Sequence, residues 1–286
     1  MPASAIGLVL FAACCHATWN LITKQAGGGL GFLWLFGASA SVLMLPLAVI
    51  SFVRAGAHFG RAELIAVVGS GVIHIFYFSL LQAGYRNGDL SIVYPVARGL
   101  GPLLSASVGI AILGDRPGPI AIAAGLVLLG GVIGMSGVSL DRLRLDRSVV
   151  FGLLCGVSIA AYTVWDRRAV ATLELPAIFY YQTSTMAYTV LITPLVLRQA
   201  EHPFTRRFLR QYWRPAVLVA VLSSTSYSLV LHAMSYAPLS YVATLRESSI
   251  LVATILGVFY LHEPLTRRKA WAAGAIVFGI IGLAVG

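Results

Sequence analysis

The chain has 286 residues, of which 58% are hydrophobic and 10% are charged, and its formal net charge is +10. Soluble domains carry about 25% charged residues, so this composition excludes an ordinary soluble enzyme or binding domain. The apolar residues fall in blocks of roughly 20, which is the length of a membrane-spanning helix, and they predict a polytopic all-α integral membrane protein.

The positive charge fits the loops of a membrane protein better than a nucleic-acid surface. Lys and Arg collect in cytoplasmic loops, and no basic stripe lies on a soluble domain here. The cysteines Cys14, Cys15 and Cys155 lie in apolar segments without the spacing of a metal site or a disulfide framework. We therefore expect no nucleic-acid partner, no metal and no cofactor, and the lipid bilayer as the surroundings.

Ten transmembrane spans are predicted, separated by short turns rich in Gly, Asn, Asp and Pro. Their approximate ranges are 5–24, 31–53, 62–84, 90–113, 118–138, 148–168, 175–197, 214–236, 239–261 and 268–286. The first is interpreted as a span and not a signal peptide, since no basic segment precedes it and further spans follow.

Two of these spans carry charges at positions that would lie deep in the bilayer. Leu90–Gly114 contains Arg98 among several Pro and Gly residues, and Leu239–Leu261 contains Arg246 and Glu247. Arg98 lies ~12 Å along its helix, close to half of a hydrocarbon core that is about 30 Å thick. Intramembrane charges of this kind usually face an interior pathway. Glu247 is taken as the only acidic residue deep in a span.

The chain also repeats itself. Arg98 and Arg246 are 148 residues apart, as are Asp115 and Glu263, and Pro46 and Pro194. The repeat predicts two five-helix units, residues 1–138 and 148–286, joined by a loop at 139–147. Because five is odd, the second unit must be inverted in the membrane, an arrangement typical of secondary transporters with a site at the repeat interface.

The last span of each half contains glycines four residues apart. These are Gly130 and Gly134 in one half and Gly282 and Gly286 in the other. Small residues at this spacing allow helix backbones to approach closely, so these spans are expected to join the halves.

A central cavity between the halves is predicted, lined by aromatic and polar side chains that could bind an amphipathic metabolite. For each aromatic the alternative is an interfacial or packing role. For the two arginines the alternative is a structural role, bound to backbone carbonyls or to Glu247. For Glu247 the alternatives are a structural ion pair and a role in proton coupling. The candidate substrate-binding residues are Trp19, Asn20, His74, Tyr77, Phe78, Tyr94, Arg98, Tyr162, Trp165, Tyr181, Gln182, Ser224, Tyr227, Arg246 and Glu247.

Several short motifs, in this order along the chain, resemble the EamA-like transporters of the drug/metabolite transporter superfamily. They are Trp19-Asn20 with Lys24, Gly114-Asp115-Arg116-Pro117, Ser235-Tyr236-Ala237-Pro238, and His262-Glu263-Pro264-Leu265-Thr266. Within the superfamily the chain is similar to YddG-type amino-acid exporters. The resemblance implies an exporter in the bacterial cytoplasmic (inner) membrane, and a monomer is expected. The acidic residue that small multidrug transporters carry in their first helix has no counterpart in span 1, which puts a cation/proton antiport of that kind in doubt.

Membrane orientation has two indicators that disagree. The loops after odd-numbered predicted spans carry thirteen of the 20 Lys and Arg residues, which places both termini outside by the positive-inside rule. The family resemblance implies that both termini are cytoplasmic.

The predicted function is secondary transport of small organic solutes by alternating access, with amino acids, aromatic ones included, and related metabolites as substrates. The alternatives are a membrane-embedded enzyme, or a pore or scaffold component. An enzyme is disfavoured because the sequence has neither a zinc-binding HExxH motif nor a pair of intramembrane aspartates. A pore would more naturally repeat one lining motif around an axis.

Overall fold

The computed structural model describes residues 1–27, 29–135, 147–198, 205–262 and 264–286, and these residues are almost entirely helical. The helices of the first part of the chain are α1 (Ala3–Ala26), α2 (Leu30–Leu43), α3 (Leu45–Ala55), α4 (Arg61–Asn87), α5 (Leu90–Ala111) and α6 (Pro119–Met135). They are followed by α7 (Arg147–Ala171), α8 (Ala177–Leu197), α9 (Arg206–Tyr236), α10 (Leu239–Leu245), α11 (Ser249–Leu261) and α12 (Arg267–Val285).

Six of the described helical segments are long and apolar enough to cross a membrane, or seven if the bent pair α2 and α3 counts as one span. Each predicted span overlaps a helix or a helix pair, while the number of ten membrane spans and the inversion of the halves stay predictions. The predicted linker at 139–147 lies outside the described residues except for its last position, and so does Glu263 of the repeat.

Helix breaks occur at two predicted spans. The segment 31–53 divides into α2 and α3, which are bent by 48° at Met44, because Pro46 has no N–H to continue the ladder of α2. A 3-10 turn at Arg246–Ser248 separates α10 from α11. By contrast, α5 runs through Pro95 and Pro102 without a break, so these prolines do not divide it.

Helix α9 begins earlier than predicted, at Arg206 and not near residue 214. The Thr205 hydroxyl caps its first turn by accepting a hydrogen bond from the Phe208 N–H at 3.2 Å. This extension carries Arg206, Arg207 and Arg210 ahead of the half-exposed Trp213, a composition typical of a helix end at the membrane–water interface.

The burial pattern is that of a membrane protein. Large apolar side chains such as Ile112, Phe259 and Phe278 are exposed, whereas Gln182 and Glu247 are fully buried. A lipid-facing exterior accepts apolar side chains freely, and polar groups in such a protein collect inside. The largest internal cluster joins residues of α1, α6, α9, α10 and α12.

Helices α6 and α12 pack closely together. A Cβ placed on Gly131 would lie 2.8 Å from Ile276 Cγ1, and one on Gly279 would lie 2.6 Å from Leu128 Cβ. Gly134 and Gly282 also face the partner helix, but nothing lies within 4 Å of a Cβ at Gly130. The predicted contact between the two helices is present, but Gly131 and not Gly130 faces α12.

Candidate solute site between the helices

Two arginines from distant parts of the chain lie beside a single buried carboxylate. Arg98 Nε on α5 is 3.2 Å from Glu247 Oε2, and Arg246 Nε is 3.9 Å from Glu247 Oε1. Glu247 is fully buried in the 3-10 turn, and both arginines are almost fully buried. One negative charge between two guanidinium groups leaves this cluster with a net positive charge.

Arg98 also contacts side chains of α1, α11 and its own helix α5. Its Nη2 donates to Ser249 Oγ at 3.3 Å and lies 3.4 Å from His16 Nε2. The guanidinium carbon is 5.8 Å from the ring centre of Tyr94, whose side chain is partly exposed. His16 is a member of this cluster that the sequence analysis missed, and its position on the same predicted span as Trp19 was the available signal.

Arg246 faces an aromatic wall. Its Nη2 donates to Tyr162 Oη at 3.4 Å, and its guanidinium carbon lies 6.0 Å from the ring centres of Tyr162 and Tyr227. His74 stacks on Tyr162 at 4.4 Å, and Tyr181 packs on Tyr227 at 5.4 Å. Four predicted site residues from α4, α7, α8 and α9 therefore meet beside Arg246.

Tyr77 and Phe78 continue this wall along α4. Tyr77 contacts the edge of Tyr162 with ring centres 5.8 Å apart, and Phe78 packs on Tyr77 at 5.3 Å. The aromatic wall thus extends beyond the four residues beside Arg246.

Asp166 on α7 is a second fully buried carboxylate, which the sequence analysis did not single out. Tyr180 Oη donates to Asp166 Oδ1 at 2.7 Å, and Tyr227 Oη donates to Asp166 Oδ2 at 2.6 Å. Asp166 lies near the end of predicted span 6, and the packing of α7 against its neighbours places it inside the helix bundle.

Gln182 and Ser224 form a separate polar pair. Gln182 Nε2 donates to Ser224 Oγ at 2.8 Å, and both side chains are buried between α8 and α9. Gln182 Oε1 has no hydrogen-bond partner among the described residues, and the side chain is fully buried.

Three predicted site residues have structural contacts: Trp19 packs in an apolar cluster, and Asn20 and Trp165 each donate a hydrogen bond to a backbone carbonyl. Trp19 packs against an apolar cluster of α2 and α9, and its edge contacts His16 at 5.1 Å. Asn20 is exposed and donates to the His16 carbonyl within its own helix at 2.7 Å. Trp165 Nε1 donates to the Ala66 carbonyl on α4 at 2.8 Å.

A polar contact at one end of the bundle ties distant segments together. Asp115, in the turn after α5, accepts a hydrogen bond from the Ser240 N–H at 2.8 Å through Oδ2. Its Oδ1 lies 3.7 Å from Arg167 Nη2. The contact holds the first turn of α10 and the end of α7 against the first half of the chain.

The described residues contain no group of three or more His, Cys, Asp or Glu side chains that could hold a metal ion. The side chains brought together here offer ionic pairing by guanidinium groups, hydrogen bonding by Tyr, Ser and Gln, and stacking on aromatic rings.

Comparison with known proteins shows the family of the chain and a similar fold. The model of the EamA-like transporter family matches residues 3–137 and 146–285. A crystal structure of another protein is similar over 100% of this chain and 98% of its own chain, with a TM-score of 0.78 and 18% sequence identity. At this identity the likeness shows the fold alone. No curated protein matches the sequence significantly.

The family match covers most of the chain, and the apolar helices surround a buried cluster of charges. The chain belongs to the EamA-like transporter family of the drug/metabolite transporter superfamily, and it is a multi-pass membrane transporter of small solutes.

Proposed function

We propose that this transporter is a secondary carrier that exports amino acids, aromatic ones included, and related metabolites across the bacterial cytoplasmic membrane by alternating access. The observation that carries the proposal is the pair of buried guanidinium groups sharing one carboxylate. Their excess positive charge is suited to a substrate carboxylate, because a guanidinium presents a fork of N–H donors to it.

The aromatic residues beside Arg246 support the second part of the substrate class. Tyr162, Tyr181 and Tyr227, with His74, offer ring faces and edges for an apolar or aromatic side chain. Burial of that side chain against rings contributes hydrophobic free energy, while the arginines orient the carboxylate.

We further propose that the protein is a monomer of ten spans in two inverted five-helix repeats, 1–138 and 148–286. Support comes from the reciprocal packing of equivalent helices. By the repeat, α1 is equivalent to α7, and α4 to α9; α4 packs against α7, and α9 packs against α1. Likewise α5 packs against α7, and α11 against α1.

Counterflow in proteoliposomes tests the carrier. Purified protein is reconstituted with unlabelled phenylalanine inside, and uptake of radiolabelled phenylalanine is measured with and without a proton gradient. We expect saturable counterflow that falls at least about tenfold in Arg246→Gln, because the mutant lacks the charge that pairs with the carboxylate. Arg116→Gln, at an exposed loop position, is the matched control and should retain counterflow.

Two results would contradict the proposal. Ion conductance that does not saturate with solute indicates a pore, and equal counterflow in the Arg246 and Arg116 variants removes Arg246 from the site. Direction is tested separately in cells loaded with labelled phenylalanine: overexpression should speed its efflux, and faster net uptake would overturn the export assignment.

A further inference from the structure

Asp166 differs from Glu247 in the nature of its partners. Glu247 lies between two guanidinium groups. Asp166 accepts hydrogen bonds from two tyrosine hydroxyls, and among the residues that the structure describes no Lys, Arg or His forms an ion pair with it. Within the described part of the chain, the groups that hydrogen-bond its oxygens are therefore neutral tyrosine hydroxyls.

Tyr227 connects Asp166 with the proposed solute site. Its hydroxyl is bound to Asp166 at 2.6 Å. Its ring centre is 6.0 Å from the Arg246 guanidinium carbon, 5.4 Å from the Tyr181 ring and 6.2 Å from the His74 ring. The carboxylate thus contacts the hydroxyl end of a ring whose centre lies 6.0 Å from the Arg246 guanidinium carbon.

The two carboxylates and two arginines make the site bipolar. The cluster of Arg98, Arg246 and Glu247 has a net positive charge, and Asp166 provides a carboxylate at the hydroxyl end of Tyr227. A zwitterion can enter such a site with each of its charges next to the opposite pole. A simple carboxylic acid satisfies only the positive pole.

We propose that Asp166, acting through Tyr227, provides a negative pole that selects solutes with an ammonium group, so that zwitterionic amino acids are preferred over the corresponding acids without the amine. The inference rests on the function proposed above and deepens it. Asp166 is a positioning residue here, because it reaches the solute through the Tyr227 ring.

The physical basis is the electrostatics of an aromatic face in a site of low dielectric constant. A cation over a tyrosine ring is attracted by the ring quadrupole. Donation of the phenolic hydrogen bond to a carboxylate makes the ring more electron-rich and fixes its orientation. The carboxylate itself attracts the cation, and this attraction is much stronger in the protein interior than in water.

Phenylalanine and 3-phenylpropionate provide the matched pair of substrates, since they share the ring and the carboxylate and differ in the ammonium group. KM for each is measured by counterflow in proteoliposomes for the wild type, Asp166→Asn and Tyr227→Phe. We expect both variants to raise KM for phenylalanine about tenfold and to leave KM for 3-phenylpropionate within about twofold of the wild type.

Tyr180→Phe is the control for a purely anchoring role. It removes the other hydrogen bond to the same carboxylate, so it should lower the melting temperature while leaving the ratio of the two KM values unchanged. If Asp166→Asn does not fold, Tyr227→Phe decides the question, because it deletes one hydroxyl and keeps the ring.

The outcomes separate this inference from the proposed function. Wild-type protein that transports neither substrate overturns the proposed function, and the inference falls with it. Wild-type transport of phenylalanine together with parallel changes of both substrates in Asp166→Asn and Tyr227→Phe overturns only the inference, and it assigns Asp166 to packing. A selective loss of phenylalanine affinity in both variants supports it.

Discussion

Glu247 is the carboxylate that stabilises the two buried arginines. It is fully buried, and its two oxygens face Arg98 and Arg246 at 3.2 and 3.9 Å. Moving one charge out of water costs several kcal/mol, so each arginine is stable in this position only because the carboxylate is present. The carboxylate belongs to the structure of the site whatever the solute is.

Replacement of this carboxylate should be strongly destabilising. Glu247→Gln leaves two buried guanidinium groups without their counterion, and we expect a loss of about 3–5 kcal/mol, the usual cost of breaking a buried pair. Thermal unfolding in detergent measures it. Glu174→Gln, at an exposed position, is the control, and equal melting temperatures for the two variants would contradict the ion cluster.

Residue patterns in the sequence identified some members of the buried cluster and missed others. Intramembrane charge identified Arg98, Arg246 and Glu247, because charges are rare in spans and stand out at once. Asp166 was missed, since a charge near the end of an apolar run looks like a surface residue. His16 was missed because a lone His on a helix is usually a packing residue.

At the scale of helices, the contact of α6 with α12 depends on side chains that are absent. Gly131 and Gly279 each face atoms of the partner helix at less than 3.0 Å from an added Cβ. In a membrane, apolar side chains gain little by leaving lipid, so close backbone approach and van der Waals packing hold such helices together.

A pair of alanine substitutions tests this contact. Gly279→Ala places a methyl group 2.6 Å from Leu128 Cβ, and we expect it to lower stability by about 1–3 kcal/mol through overpacking. Gly130→Ala meets nothing within 4 Å and should be neutral or stabilising, because alanine favours helix. Melting temperatures in detergent compare the two. A stabilised Gly279→Ala variant would show that the two helices are further apart.

Helix breaks were only partly readable from sequence. Pro46 accounts for the bend between α2 and α3, which the sequence analysis did not predict, whereas α5 contains Pro95 and Pro102 and continues. Conversely, α10 and α11 are separated at Arg246–Ser248 without a proline. A proline inside a helix leaves a backbone carbonyl unpaired, and whether the helix breaks there depends on the neighbouring groups that can satisfy it.

For the whole molecule, the repeat has a consequence for membrane topology. Arg116 and Pro264 are 148 residues apart and follow equivalent helices, α5 and α11. In inverted repeats the two turns lie on opposite sides of the membrane, whereas parallel repeats would place both on one side.

Cysteine labelling in intact cells distinguishes these arrangements. In a chain without its native cysteines, Arg116→Cys and Leu265→Cys are probed with a membrane-impermeant maleimide. Both positions are exposed, Arg116 in the turn after α5 and Leu265 in the equivalent turn after α11. Since the repeats are proposed to be inverted, we expect one cysteine to be labelled only from outside and the other only after permeabilisation. Labelling of both from the same side would contradict the inverted repeat. The exposed side of Arg116 also decides between the two orientations of the termini.

By itself, the sequence determined the class of this protein, its family resemblance and the arginine pair, since hydropathy, span length and a 148-residue repeat are properties of the linear chain. Tertiary structure decided which groups meet. Tyr227 and Asp166 are 61 residues apart in the chain, and Arg98 and Glu247 lie in different parts of it. Such contacts depend on the rotation and tilt of packed helices. The packing of side chains between the helices sets this geometry, and no local sequence pattern encodes it.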